Sequence, residues 1–187
     1  MNTQASFVTS FVGFGEIVAN SSFALSGEAS GSGQTYAYPE EKTVATFFHP
    51  TYGYRKCRLV RNTSGATLSP KMICLFKSGS STEILKATAA VAHANKVAGV
   101  VPESLYSKSA IAVDTWPDGY WGWLIFSGNA RGISGAAITA NDTLSTSSGT
   151  AGSIQTNAAA AAADYTGVIG TALEAAAGAG EIGRAHV

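Results

Sequence analysis

Ser64-Gly65-Ala66-Thr67-Leu68-Ser69-Pro70-Lys71 reads against Ser134-Gly135-Ala136-Ala137-Ile138-Thr139-Ala140-Asn141, and this echo decides how the chain folds. In the same frame Ser78-Gly79 reads against Ser148-Gly149 and Ile84 against Ile154. After two residues drop out, Ala98-Gly99-Val100-Val101-Pro102-Glu103-Ser104-Leu105 reads against Thr166-Gly167-Val168-Ile169-Gly170-Thr171-Ala172-Leu173. Few positions are identical; the shared order carries the match. A repeat fixes which segments are equivalent and lets one half correct the other.

The segments between the echoes read as short strands and turns. Tyr120-Trp121-Gly122-Trp123-Leu124-Ile125-Phe126 is the most β-prone run and is apolar on both faces, as a strand buried on both sides would be. Tyr54 to Val60 alternates, with Cys57 and Leu59 facing one way and Lys56 and Arg58 the other. Met72 to Lys77, Ile111 to Val113, Ile138 to Leu144, Tyr165 to Leu173 and Glu181 to Val187 read as further strands. Asn62 to Gly65, Ser78 to Ser81, Pro117-Asp118-Gly119 and Gly178 to Gly180 supply turn chemistry. Two alanine-rich stretches tempt a helix assignment. For Ser81 to Val97 the residues leave helix and extended chain both open; for Ala158 to Ala163 the repeat favours extended chain. The sum is an all-β domain, a small barrel or sandwich with a possible strand-turn repeat.

Residues 1–46 differ in character. Phe7, Val8, Phe11, Val12, Phe14, Ile17 and Val18 are spaced apolar anchors, and Ser26 to Gln34 is rich in Gly and Ser. This reads as an extended arm ahead of a β-rich domain over 47–187, whose similar halves run about 54–105 and 120–187. Such an arm is expected to place its apolar residues on a neighbouring subunit.

Composition excludes several classes. Twelve basic residues balance twelve acidic ones in 187 residues, whereas a nucleic-acid binder carries a basic excess. No apolar run approaches the roughly 18–20 residues that cross a bilayer, and residues 1–10 lack the basic start of a signal peptide. Cys57 and Cys74 form no C-x-x-C pair, and His49, His93 and His186 lie far apart, so neither a metal nor another cofactor is expected. Two reduced, half-buried strand thiols are the favoured reading; a single bridge stays open. Gly13-Phe14-Gly15 lacks the third glycine and lysine of a phosphate loop, and no nucleophile elbow or H-E-x-x-H motif occurs. The chain reads as non-enzymatic.

Gly135 to Leu144, Gly152-Ser153-Ile154, Gly167-Val168-Ile169-Gly170-Thr171-Ala172-Leu173-Glu174-Ala175 and Gly180 to Val187, preceded by Trp121 to Gly128, form a run of strands and turns. In that run the second half resembles capsid decoration proteins of tailed phages. The resemblance implies a small β-domain on the outer surface of the assembled head, made in the host cytoplasm. It implies a homotrimer that binds the major capsid protein of the expanded shell, with no nucleic acid and no membrane as partner. On that reading Phe7, Phe11 and Phe14 of the arm, Phe48, Tyr52 and Tyr54 of the aromatic turn, and Arg55 and Arg58 are interface contacts. The alternative is a minor virion surface module, a head fibre base or a carbohydrate-binding domain in which Trp116, Tyr120 and Trp121 stack on sugar. A small hydrolase would have to draw on the three histidines and scattered acids.

Overall fold

The structure is a computed structural model, and it describes residues 12, 14–19, 23–24, 36–37, 43–87, 96–107, 110–113, 115–147, 149–157, 168–180 and 182–187. Among them there is no helix; every regular element is a strand. Phe7, Phe11 and the alanine-rich cores of both tempting segments lie outside the described residues.

Two five-stranded units follow one another. In the first, β5 (Gly53–Asn62), β6 (Ile73–Phe76), β7 (Glu83–Lys86), β8 (Val97–Val100) and β11 (Trp121–Ser127) pair in the order β11-β8-β6-β7-β5, and β5 pairs again with β11, so the ring closes. In the second, β12 (Asn129–Ile133), β13 (Thr143–Thr146), β14 (Ile154–Thr156), β15 (Val168–Ala172) and β16 (Ile182–His186) take the order β12-β16-β15-β13-β14. Here a parallel bridge from Ser134 to Ile154 completes the ring, in the place where the parallel pair Asn62 and Ile84 closes the first.

The equivalence extends to single residues. Ile73, Cys74 and Leu75 pair with Val100, Gly99 and Val97; Thr143, Leu144 and Ser145 pair with Thr171, Gly170 and Val168, with the same register shift after the second residue. Leu68 exchanges backbone hydrogen bonds with Trp116 as Ile138 does with Ala176. Lys71 and Asn141 both take positive φ, 70° and 72°, and donate to Val101 O and Ala172 O. Gly119 and Gly180 donate to Asn62 O and Ser134 O at 2.7 Å each.

Three sequence expectations are corrected by the strand pairing and turns. The third echo is three residues out of frame: Gly99 matches Gly170, not Gly167. The run from Trp121 also closes the first unit instead of opening the second, because β11 pairs with β5 along its length. Ile138 to Leu144 is not one strand, since a turn at Ala140-Asn141 separates the Ile138 bridge from β13.

Inward positions show how the two barrels fill. The first holds Val60, Leu68, Cys74, Ile84, Ala98, Val101, Trp116 and Leu124, all buried in one cluster. Their equivalents are Gly132, Ile138, Leu144, Ile154, Ile169, Ala172, Ala176 and Ala185. Trp116 gives way to Ala176 while Cys74 and Ala98 give way to Leu144 and Ile169, so the bulk is distributed differently in the two barrels. Gly122 makes room for the indole: a Cβ there would stand 3.0 Å from Trp116 Cζ2.

Further strands dress the first unit. β1 (Ile17–Val18) pairs with the start of β11, and β4 (Val44–His49) with β5. β9 (Leu105–Ser107) and β10 (Ala110–Val113) form a hairpin in the long 101–120 connection; β2 (Phe23–Ala24) and β3 (Tyr36–Ala37) pair with each other. Val12, Ile17 and Val18 are thus buried against their own chain, and Trp123 Nε1 donates to Val12 O at 2.7 Å. β4 begins at Val44, inside the stretch assigned to the arm. Gly15 is explained by packing: at φ 80° a Cβ would lie 2.7 Å from Ser104 O.

Asp142, in the second unit, accepts from Thr139 N and Thr156 Oγ1 at 2.8 Å each. The Thr139 backbone bond first, then the Thr156 hydroxyl, holds its carboxyl below the usual range. Its contribution is complete above the ordinary carboxylate pKa near ~4 and is lost as pH falls through the lower folded value. Asp142→Asn is expected to lower stability at neutral pH and to converge with wild type in acid, measured by urea unfolding across pH. Parallel curves would refute the assignment.

Candidate functional site

The aromatic turn is a hairpin. Pro50-Thr51-Tyr52 connects β4 to β5, and Gly53 at φ 74° supplies the left-handed residue that closes a three-residue connection. Tyr52 N donates to His49 O at 3.2 Å and Thr51 N to His49 Nδ1 at 3.1 Å.

Alternation gives the hairpin two different faces. The inner one carries Ala45, Phe47, Arg55 and Cys57. Phe47 packs on Phe14 with centroids 5.1 Å apart and meets Trp123 edge-on at 5.2 Å. Arg55 is fully buried. Its Nη1 and Nη2 donate to the Glu103 carboxylate at 2.8 and 2.6 Å, and its Nε donates to Asn129 O at 2.6 Å. Tyr52 lies 4.3 Å from its Cζ. Glu103 Oε1 also accepts from Arg131 N at 3.1 Å. One buried ion pair therefore ties β5 of the first unit to β12 of the second. Cys57 sits beside it, its thiol pushed up to about 12 by burial, with Arg55 lowering and Glu103 raising it. Cys74 is buried on the barrel side and also raised by burial. Both thiols are free and fully buried, deeper than the half-buried expectation.

The outer face pairs Val44 with Arg58, Thr46 with Lys56 and Phe48 with Tyr54. Phe48 is 65% exposed and Tyr54 74%, with their rings at 5.3 Å edge to face. At its barrel end Arg58 Cζ stands over the Phe76 and Phe126 rings, 5.1 and 4.9 Å from their centroids. Phe76 and Phe126 escaped the sequence reading. Their signal was parity: each lies two residues beyond an inward side chain, Cys74 or Leu124, and so caps the barrel mouth.

The sequence-nominated contacts therefore separate. Phe48, Tyr54 and Arg58 share the outer face; Tyr52 covers Arg55; Phe14 packs inside; Arg55 is withdrawn from the surface. Trp116 and Trp121 are buried, which removes two of the three aromatics proposed for a sugar platform. Among the described residues no group of three His, Cys, Asp or Glu side chains could hold a metal, and no helix is long and apolar enough to cross a membrane.

No family model matches the chain. No curated protein matches it either. Among solved structures it has a likeness to the N base of the head fiber gp8.5 of bacteriophage phi29. The identity is 18% and the TM-score 0.42, over 70% of this chain and 92% of that one.

Proposed function

We propose that this chain is a structural protein of a tailed-phage virion, a non-enzymatic decoration subunit. It binds the outside of the expanded head and ties neighbouring major capsid subunits together, as a trimer. The sequence resemblance over about residues 120–187 supports the reading. The observation that carries it is the outer face of the β4–β5 hairpin. Val44, Phe48 and Tyr54 stand 48%, 65% and 74% exposed on adjacent strands, a concentration of apolar surface that marks an interaction site. Subunits that bind only the expanded lattice stabilise it by mass action, and repetition over the shell converts modest contacts into avidity.

The test is to pellet mature heads of the encoding phage with the purified protein and count bound copies per major capsid subunit. A saturating simple ratio at symmetric positions is expected. Phe48→Ser with Tyr54→Ser is expected to weaken head binding by about tenfold or more, while loss of the cross-strand ring pair costs folding stability about 1–2 kcal/mol and leaves the chain folded. A handful of copies per head would move the assignment to a head fibre base; no binding would reject a decoration role.

A further inference from the structure

β4 is the last strand of its sheet, and its far side meets no described strand. On the near side, Leu59 N donates to Thr43 O at 3.0 Å, which makes these two a hydrogen-bonded pair. Bonded and non-bonded pairs alternate along an antiparallel ladder, so Ala45, Phe47 and His49 are the residues of β4 that bond to β5. The N–H and C=O groups of Val44, Thr46 and Phe48 point away from β5, and among the described residues nothing receives them.

Proteins commonly blunt such an edge with proline, lysine, a bulge or a very short strand. β4 has none of these: its six residues contain no proline or charged side chain apart from the terminal His49, and they pair with β5 without a register shift. Barrel closure does not require the strand either, because the sheet order of the second unit holds no counterpart of it. The open edge is continuous with the exposed outer face, since Val44, Thr46 and Phe48 are also the exposed residues of β4.

Charge selects the occupant. Lys56 pairs with Thr46, is exposed, and meets no carboxylate among the described residues. Arg58 is held against Phe76 and Phe126 at the barrel mouth, which leaves Lys56 as the cation nearest the edge. A strand added to β4 runs two strand spacings from β5, ~9–10 Å. Thr46 between them is short, so Lys56 and a glutamate on the added strand can meet above it. Neither β4 of a second copy nor residues 1–11 contain an Asp or Glu to answer Lys56.

We propose that β4 takes up an extended segment of the major capsid protein by strand addition, the identity of the donor resting on the decoration reading above. The segment has the pattern apolar-x-acidic-x-apolar. Its apolar side chains lie beside Val44 and Phe48, and its acid, beside Thr46, pairs with Lys56. The backbone groups of Val44, Thr46 and Phe48 supply affinity; Lys56 supplies the choice of sequence.

Amide exchange of the full chain, free and on mature heads, tests the geometry. The Val44, Thr46 and Phe48 amides are expected to exchange fast in the free protein and about a hundredfold more slowly on heads. Thr46→Pro removes an outward N–H, where an edge strand tolerates proline, and is expected to weaken head binding by about tenfold or more. Lys56→Glu, on an exposed side chain, is expected to weaken it by about tenfold and provides the test should the proline variant unfold. Without heads, the peptide Thr-Val-Thr-Glu-Thr-Val-Thr is expected to shift the same three amides and to bind about tenfold tighter than its lysine-centred counterpart. Slow exchange in the free protein, unchanged exchange on heads, or a folded Thr46→Pro that binds heads like wild type would overturn strand addition while leaving the decoration role standing. Equal binding of the two peptides would overturn the acidic partner. Peptide binding by a protein that ignores heads would reject the decoration role and its capsid donor, and support the edge and its charge preference.

Discussion

Alanine at Gly170 is expected to abolish closure of the second barrel. Its φ is 159°, and a Cβ would overlap the His186 carbonyl, with Val187 Cα 3.1 Å away. These are backbone atoms of the paired strand β16, so no side-chain rotation relieves the overlap. Relief requires β15 and β16 to part where Thr171 pairs with His186 and Ala172 with Ala185. Gly99 holds the equivalent place at φ 145°, against the Ile125 carbonyl, and Gly99→Ala is expected to do the same to the first barrel. Each change should cost more than about 4 kcal/mol, the range reserved for lost backbone fits and broken cores. Gly183→Ala is the control, because nothing lies within 4 Å of its Cβ site and its φ is not left-handed. Urea unfolding followed by circular dichroism measures all three. Equal stability of Gly170→Ala and Gly183→Ala would show that the strands do not approach as described.

The same glycines explain what the sequence could and could not disclose. Pro50, Gly53 and the alternation of Tyr54 to Val60 made an all-β chain legible, because turn formers and period-two patterning are local properties. The Ser69-Pro70-Lys71 and Thr139-Ala140-Asn141 match was also local: both segments make the same turn, and Lys71 and Asn141 carry its left-handed residue. The third echo failed because it matched Gly-Val to Gly-Val. The glycine that counts is the one the facing carbonyl forbids to have a side chain, and that pairing is visible only across strands. Barrel filling was hidden for a similar reason, since Trp116 and Ala176 are recognised as equivalent only from their paired backbone bonds to Leu68 and Ile138. In the basic cluster, parity placed Lys56 and Arg58 on one face. That Arg55 turns inward to Glu103, 48 residues on, is long-range information that no local pattern holds.

That ion pair sets the second large expectation. Glu103→Ala is expected to cost about 3–5 kcal/mol, because it leaves the Arg55 guanidinium buried with the Asn129 carbonyl and the Tyr52 and Phe14 rings but no carboxylate. Arg55→Met combined with Glu103→Leu is expected to recover most of the loss, since the desolvation of both charges disappears with them. The pair also joins the units, with Glu103 accepting from Arg131 N. Its removal should therefore lower the cooperativity of unfolding as well as the midpoint, seen as a smaller dependence on denaturant. Cys57 offers an independent readout. Glu103 raises its thiol pKa and Arg55 lowers it, so in Glu103→Ala the unopposed guanidinium should bring the thiol down from about 12. Thiolate-dependent labelling of Cys57 should then rise in the single variant, and not in the double variant, where the guanidinium, which lowers the thiol more than Glu103 raises it, is gone as well. If both variants label alike once their different stabilities are matched, Arg55 does not reach Cys57 electrostatically. If Glu103→Ala unfolds at the wild-type midpoint, the ion pair does not hold the two barrels together.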